Sequence, residues 1–216
     1  MKKRVLLTLI TLSVYSGFAQ SRTEHYVFPE FTEGIILLKN GERSKGVLNY
    51  NALTESIILQ KDGRLMPLKN DLSRNADTLY VKNRKFVNRY GKFMELLVNS
   101  NAVLFVQYYC VLKSNTENRN AYGSSSQTST TVVAAQVRNQ GIFYNLELPE
   151  LYVAELKLRY HFTKDDKEIT FETLRDIKKL YANLKKEYNS YKKSNKVDYK
   201  EPRSVANLIS YMESLN

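Results

Sequence analysis

The chain has 216 residues, 16 tyrosines, nine phenylalanines, no tryptophan, one cysteine (Cys110), two histidines and a formal net charge of +11. A single cysteine excludes an internal disulfide, so stability must come from packing. With no His-x-x-x-His or Cys-x-x-Cys spacing, the sequence also lacks the usual zinc motifs, and the length suits one core or one domain with a helical appendage.

The N-terminus has the pattern of a secretory signal peptide. Met1-Lys2-Lys3-Arg4 is basic, residues 5–14 are apolar apart from Thr and Ser, and Gly17 and Ala19 are the small residues before a cut at Gln20. The apolar run is shorter than the ~20 residues that span a bilayer. Removing residues 1–19 leaves 197 residues and lowers the charge to +8, because Lys2, Lys3 and Arg4 leave with it. No later segment is apolar and long enough for a transmembrane helix. The expected location is beyond the inner membrane: periplasmic, associated with the outer membrane, or secreted.

Residues 34–87 organise the rest of the chain. Gly34-Ile-Ile-Leu-Leu-Lys-Asn-Gly41 and Ser56-Ile-Ile-Leu-Gln-Lys-Asp-Gly63 are apolar runs closed by Asn40-Gly41 and Asp62-Gly63. Both dipeptides suit a two-residue hairpin loop, whose central residues need φ > 0. The pattern predicts strands at 34–39, 45–50, 57–61 and 64–68. The first is apolar on both faces, which suggests a central strand, and in the last Pro67 lacks an N–H, so that strand should lie at an edge or end there. Residues 70–76 have the composition of a loop. Further strands are predicted at 77–82, 85–89, 93–98 and 102–112. In the last of these, Val103, Phe105, Gln107, Tyr109 and Val111 share one face, and Leu104, Val106, Tyr108, Cys110 and Leu112 the other, as in a strand buried on both sides.

Residues 115–131 are rich in Asn, Ser and Thr and read as a long exposed loop. Extended segments come next at 142–148 and 151–162. In the second, Leu156, Leu158, Tyr160 and Phe162 alternate with Lys157, Arg159 and His161, the pattern of a half-exposed strand with His161 on the solvent face. At Thr170, a candidate N-cap, the period changes. Leu174, Ile177, Tyr181, Leu184, Tyr188 and Tyr191 are spaced for one amphipathic helix of about six turns. Pro202 opens a second helix with Val205, Leu208, Ile209, Met212 and Leu215 on its apolar face. The expected fold is α+β: a predominantly antiparallel β domain of about eight to ten strands (a meander, sandwich or small barrel) over residues 20–163. A C-terminal two-helix segment, 164–216, packs on it.

The order of these features resembles a group of exported β-rich proteins of Bacteroidota-type bacteria for which no activity or catalytic residues are established. The resemblance rests on the Leu38-Lys39-Asn40-Gly41 strand end, Val47-Leu-Asn-Tyr-Asn51, the Asp-Gly hairpin and Lys85-Phe86 after Tyr80-Val81. It extends to the Ala121-to-Ser129 loop and the Lys/Tyr helix running into Asn195-Lys196-Val-Asp-Tyr-Lys200. It implies an exported location and a β-rich architecture, and no mechanism.

Chemical motifs are sparse. Cys110 sits mid-strand in an apolar run, as a buried small hydrophobe does. Ser124 to Ser126 follow Gly123 without a Gly-x-Ser-x-Gly elbow. There is no Gly-x-x-x-x-Gly-Lys and no dinucleotide fingerprint. Asp165-Asp166 with Glu168 offers too few oxygen ligands for a calcium loop and reads as a solvated acidic turn. Glu33, Glu55, Glu95, Glu147 and Glu150 are available for a carboxylate pair formed only in space. No catalytic residue, metal site or cofactor is assigned.

Two features remain as candidate sites. One is a ligand loop, Tyr122, Gly123, Ser124, Ser125, Ser126 and Gln127, whose composition combines contact area with adaptable hydrogen bonding. The other is a polyanion stripe, Lys178, Lys179, Lys185, Lys186, Lys192 and Lys193, doublets repeating every seven residues. The expected function is an exported non-enzymatic binding or structural module. The alternatives are polyanion or membrane-surface association through the Lys/Tyr helix, and a carbohydrate-active enzyme with a spatial carboxylate pair. The partner is a polyanion, a glycan or an envelope component.

Overall fold

The structure is a computed structural model that describes residues 25–68, 70–114, 132–133 and 152–216. The segment read as a signal peptide, the extended segment expected at 142–148 and the whole of the 115–131 loop lie outside these residues. The first four strands are β1 (Thr32–Leu38), β2 (Arg43–Asn51), β3 (Ser56–Lys61) and β4 (Arg64–Pro67). A short helix α1 (Asn70–Asn75) leads to β5 (Ala76–Val81), β6 (Arg84–Arg89), β7 (Lys92–Asn99) and β8 (Val103–Ser114). Then come β9 (Val132–Val133), β10 (Tyr152–Lys164) and β11 (Lys167–Phe171). The chain ends in α2 (Leu174–Leu180), a 3-10 turn (Ala182–Leu184), α3 (Lys185–Asn195) and α4 (Pro202–Ser214).

All strands among the described residues join one antiparallel sheet, in the order β11-β10-β8-β7-β6-β5-β1-β2-β3-β4, with β9 beside β8. The α+β expectation holds. β1 is central, between β2 and β5, and β4, which carries Pro67, is an edge. The chain runs outward from β1 to β4, then returns through α1 to lay β5 on the other side of β1. Residues 70–76, read from composition as a loop, therefore contain that helical turn.

Turns carry the meander. Asp62 (φ 50°) with Gly63 (φ 73°), Tyr90 (φ 56°) with Gly91 (φ 78°), and Asp165 (φ 48°) with Asp166 (φ 58°) each fill a two-residue loop with both central φ positive. That is the hairpin geometry expected at Asp62-Gly63. The Asn40-Gly41 turn differs. Only Gly41 has positive φ (88°), Gly41 N donates to Leu38 O at 2.9 Å, and Leu38 N donates to Glu42 O at 2.8 Å. This is a three-residue loop with glycine in the left-handed position. Asn40 Oδ1 accepts from Glu42 N at 3.0 Å, which fixes Asn40 without positive φ. The two similar apolar runs, closed by Asn40-Gly41 and Asp62-Gly63, thus encode two different hairpins.

The sheet curls on itself. In a flat sheet β2 and β6, three strands apart, would be separated by about 14 Å. The Tyr50 and Phe86 rings on those strands have centroids 6.2 Å apart, and Tyr50 lies 6.5 Å from Phe93 on β7. Phe28, before β1, packs on Phe86 at 5.8 Å. Gly34 permits this closure: a Cβ there would stand 3.0 Å from Tyr80 O and 3.1 Å from Leu48 Cδ2 and Val81 Cγ2. The core is one cluster running from Phe28 and Leu48 to Leu208 and Met212, so sheet and helices share it.

The C-terminal helices depart from the single six-turn helix that the spacing predicts. Thr170 lies in β11, and the N-cap is Thr173, whose Oγ1 accepts from Asp176 N at 3.3 Å. The helix breaks after Leu180, where Tyr181 has non-helical ψ (49°), and resumes as α3. The cause is tertiary. Tyr188 Oη donates to Leu174 O at 2.7 Å. In a straight helix these residues are about 21 Å apart along the axis, so α3 must turn back on α2 to make that bond. Tyr181 Oη donates to Glu213 of α4 at 2.8 Å. α4 begins at Pro202 as predicted and buries Val205, Leu208, Ile209 and Met212. Tyr160 Oη donates to Tyr199 O, and Tyr199 Oη to Leu158 O, both at 2.8 Å, tying the α3–α4 connection to β10.

Candidate functional site

The most polar part of the interior crosses the sheet from the β2–β3 turn. Glu55 (φ 50°) ends that turn and is buried. Its Oε2 pairs with Lys92 Nζ at 2.8 Å, and its Oε1 accepts from Gln107 Nε2 at 2.5 Å. Gln107 Oε1 stands 3.3 Å from His161 Nε2, and His161 Nδ1 stands 3.1 Å from Glu168 Oε1. Glu168 Oε2 then accepts from Arg89 Nη2 at 3.2 Å and from Tyr90 Oη at 3.3 Å. This row links the β2–β3 turn, β7, β8, β10, β11 and the β6–β7 hairpin. Burial works against ionising Glu168, but hydrogen bonding to His161 and the Arg89 charge outweigh it and hold the carboxyl below its ordinary range.

The row corrects the expectation for His161. Strand alternation placed it on a solvent face, yet it is only 8% exposed. That face of β8 and β10 is covered: Glu55 caps Gln107, and the Arg89 guanidinium lies 4.6 Å over the Phe105 ring. Asp165 and Asp166 are the solvent-exposed hairpin turn, as expected, but Glu168 belongs to the row.

A cleft of about 110 Å³ opens beside Glu55, lined also by Lys92, Gln107, Tyr109, Cys110 and Arg159. That volume admits a few water-sized groups and is well below the ~300 Å³ of a ligand pocket. Its charged groups are already matched: Glu55 with Lys92 and Gln107, and Arg159 with Glu172 at 2.5 Å. Burial, with Glu55 nearby, pushes the Cys110 thiol up to about 12, so it is protonated at neutral pH and is no nucleophile.

A second buried charge cluster holds the other interior carboxylate. Arg84 Nε and Nη2 donate to the two oxygens of Glu95, each at 2.7 Å, and Tyr108 Oη donates to Glu95 Oε2 at 2.5 Å. Arg84 lies between aromatic faces, 4.7 Å over Phe28 and 5.0 Å over Phe86. Of the carboxylates named from sequence, Glu55 and Glu95 are thus locked in separate pairs, Glu33 is exposed on β1, and Glu147 and Glu150 lie outside the described residues. Among the described residues no group of three or more His, Cys, Asp or Glu side chains could hold a metal ion. No helix among them is long and apolar enough to cross a membrane, which says nothing of crossing by strands. His25 is buried at the start of the described chain, and burial lowers its pKa.

The lysine doublets divide between two helices. Lys178 and Lys179 lie on α2, where Lys179 pairs with Asp176 at 3.1 Å. Lys185, Lys186, Lys192 and Lys193 lie on α3. Each residue advances about 100° round a helix, so these four and Asn189 occupy a sector of about 120°. Glu187, the one acidic residue of α3, lies outside that sector, while Tyr188 is buried and Tyr191 half-buried towards α4. All four lysines are exposed and make no hydrogen bond or ion pair among the described residues. The six-lysine stripe is therefore interrupted at Tyr181, and four of its lysines remain together. The candidate loop Tyr122 to Gln127 lies outside the described residues.

Beside the lysines, a groove of about 320 Å³ runs between α3 and α4, lined by Tyr191, Asn195, Glu201, Arg203, Ser204 and Asn207. The side chains of Glu201, Arg203 and Asn207 are exposed and make no hydrogen bond or ion pair among the described residues. Sequence reasoning passed over Arg203 and Asn207 because they flank the apolar stripe of α4 and look like ordinary solvent positions. Lys92 and Arg159 look like ordinary solvent positions of strands β7 and β10. Gln107 did carry a signal, a polar side chain in a strand buried on both faces, which demands partners.

Comparison of the chain with protein-family models, with curated proteins and with solved structures finds no match.

Proposed function

We propose that the chain is an exported, non-enzymatic binding module whose partner is a polyanion, held by α3. The observation that carries this reading is the contrast between two kinds of charge. The interior carboxylates and the cations beside them are consumed in closed pairs, Glu55 with Lys92 and Glu95 with Arg84. The lysines Lys185, Lys186, Lys192 and Lys193 instead stand open to solvent on one side of α3, with no acidic residue among them. A solvated helix face ordinarily mixes signs, which gains i,i+4 pairs. A single-sign sector forgoes that stabilisation and concentrates positive potential. Export is supported by the basic, apolar and small-residue pattern of residues 1–19.

The test is salt-dependent retention on a sulfonate matrix. The mature chain is expected to elute at markedly higher salt than the K185Q/K186Q/K192Q/K193Q variant. A K39Q/K45Q/K61Q/R64Q variant, equal in net charge and altered at exposed positions near the β1–β2 and β3–β4 turns, is expected to elute close to wild type. Equal loss in both variants would reduce the effect to net charge and remove the reading.

A further inference from the structure

We infer that the polyanion is an acidic polysaccharide, and that the groove between α3 and α4 seats one of its sugar rings while the α3 lysines hold its carboxylates. This inference rests on the polyanion reading and adds an observation independent of charge, the chemistry of the groove. A sugar ring presents vicinal hydroxyls, each both donor and acceptor, round a partly apolar face. The groove matches this with planar polar side chains: the Asn195 and Asn207 amides, the Arg203 guanidinium and the Glu201 carboxylate. Two such groups can bridge neighbouring hydroxyls. Tyr191 supplies aromatic surface and is held in place by stacking on Tyr211 at 4.6 Å.

The groove is built rather than incidental. Asn195 Nδ2 donates to Tyr191 O at 3.0 Å, which leaves its carbonyl oxygen available. Ser204 Oγ accepts from Asp198 N at 3.2 Å and fixes the connection that forms one wall. Lys196, in the left-handed conformation (φ 46°), turns the chain sharply at the end of α3 and lets α4 approach. Its volume of about 320 Å³ lies at the lower end of ligand pockets, as suits a single ring.

The lysine sector continues from the groove. Lys192 stands at the sector edge nearest Asn195, about 60° round α3. Lys185 and Lys192 are about 10 Å apart along the helix axis, as are Lys186 and Lys193. A chain seated in the groove therefore passes two successive rows of ammonium groups. A membrane surface fits less well. The sector has Asn189 at its centre and no apolar or aromatic side chain to enter a headgroup layer, the feature that accompanies interfacial helices.

Isothermal titration of the mature chain with oligogalacturonate at fixed ionic strength tests the proposal. Dextran oligomers of similar length and phosphatidylglycerol vesicles serve as comparison titrants. Asn207→Ala leaves net charge unchanged and alters an exposed side chain. It is expected to weaken oligogalacturonate binding about tenfold without moving retention on the sulfonate matrix, and Arg203→Gln is expected to weaken it at least as much. The lysine variant K185Q/K186Q/K192Q/K193Q is expected to lose both. Loss of matrix retention only in that variant, with oligogalacturonate unbound or bound equally by wild type and Asn207→Ala, would overturn the glycan assignment and leave the polyanion reading standing. Vesicles binding as tightly as the oligosaccharide, with Asn207→Ala indifferent to both, would overturn it in favour of a lipid surface. Retention that does not depend on the lysines would remove the parent reading instead.

Discussion

Arg84 shows how a buried charge is made tolerable. It forms a two-point pair with Glu95, shares that carboxylate with Tyr108, and spreads its planar face over Phe28 and Phe86. Removing one partner leaves the other buried and unmatched, which costs more than the pair gains. Glu95→Ala is expected to lower unfolding stability by about 3 kcal/mol in urea titration. Replacing Arg84 and Glu95 together by Met and Leu should cost clearly less. Glu168 makes a pH prediction. Its folded pKa is depressed by His161 and Arg89 although it loses part of its solvation, so its stabilising contribution is present above the unfolded value near 4.5 and is lost as pH falls below it. Thermal unfolding between pH 6 and pH 3 should show a shallower loss for Glu168→Gln than for wild type. Equal slopes would show that the row carries no linkage.

The hairpins and their glycines were the most legible elements. Alternation and turn dipeptides placed most strands to within a residue or two, because local twist and φ preference decide them. Gly34 and Gly46 face each other on β1 and β2 but differ in surroundings. A Cβ on Gly34 meets backbone and core side chains at 3.0–3.1 Å, whereas one on Gly46 meets only Leu59 Cδ2 at 3.6 Å. Gly34→Ala is expected to destabilise by about 1–3 kcal/mol through overpacking, and Gly46→Ala to be neutral or slightly stabilising, read from urea midpoints. The helical elements were less legible. The apolar spacing from Leu174 to Tyr191 fits a straight helix, and nothing local announces that Tyr188 will bond to Leu174 O. His161 was misplaced for the same kind of reason. Its partner Gln107 is 54 positions away, and the cover that buries that face comes from other hairpins. The lysines were seen, but their division into a paired set and an open set depends on where the helix breaks.

At the scale of the molecule, tyrosine links the layers, a role that no internal disulfide can take in a chain with a single cysteine. Tyr160, Tyr181, Tyr188 and Tyr199 are each largely buried and each direct a hydroxyl across an element boundary, to Tyr199 O, Glu213, Leu174 O and Leu158 O. The apolar bodies contribute burial and the hydroxyls fix orientation. In the proposed reading the curled sheet, with Glu55 and Glu95 locked in internal pairs, is the scaffold, and α3 and the start of α4 are the face that meets a partner. Amide chemical-shift mapping of residues 20–216 with oligogalacturonate tests that division most directly. Perturbations are expected to concentrate at residues 185–196 and 201–207. Perturbations centred instead on Glu55, Lys92, Gln107 and Arg159 would place the binding site in the cleft of the sheet and contradict it.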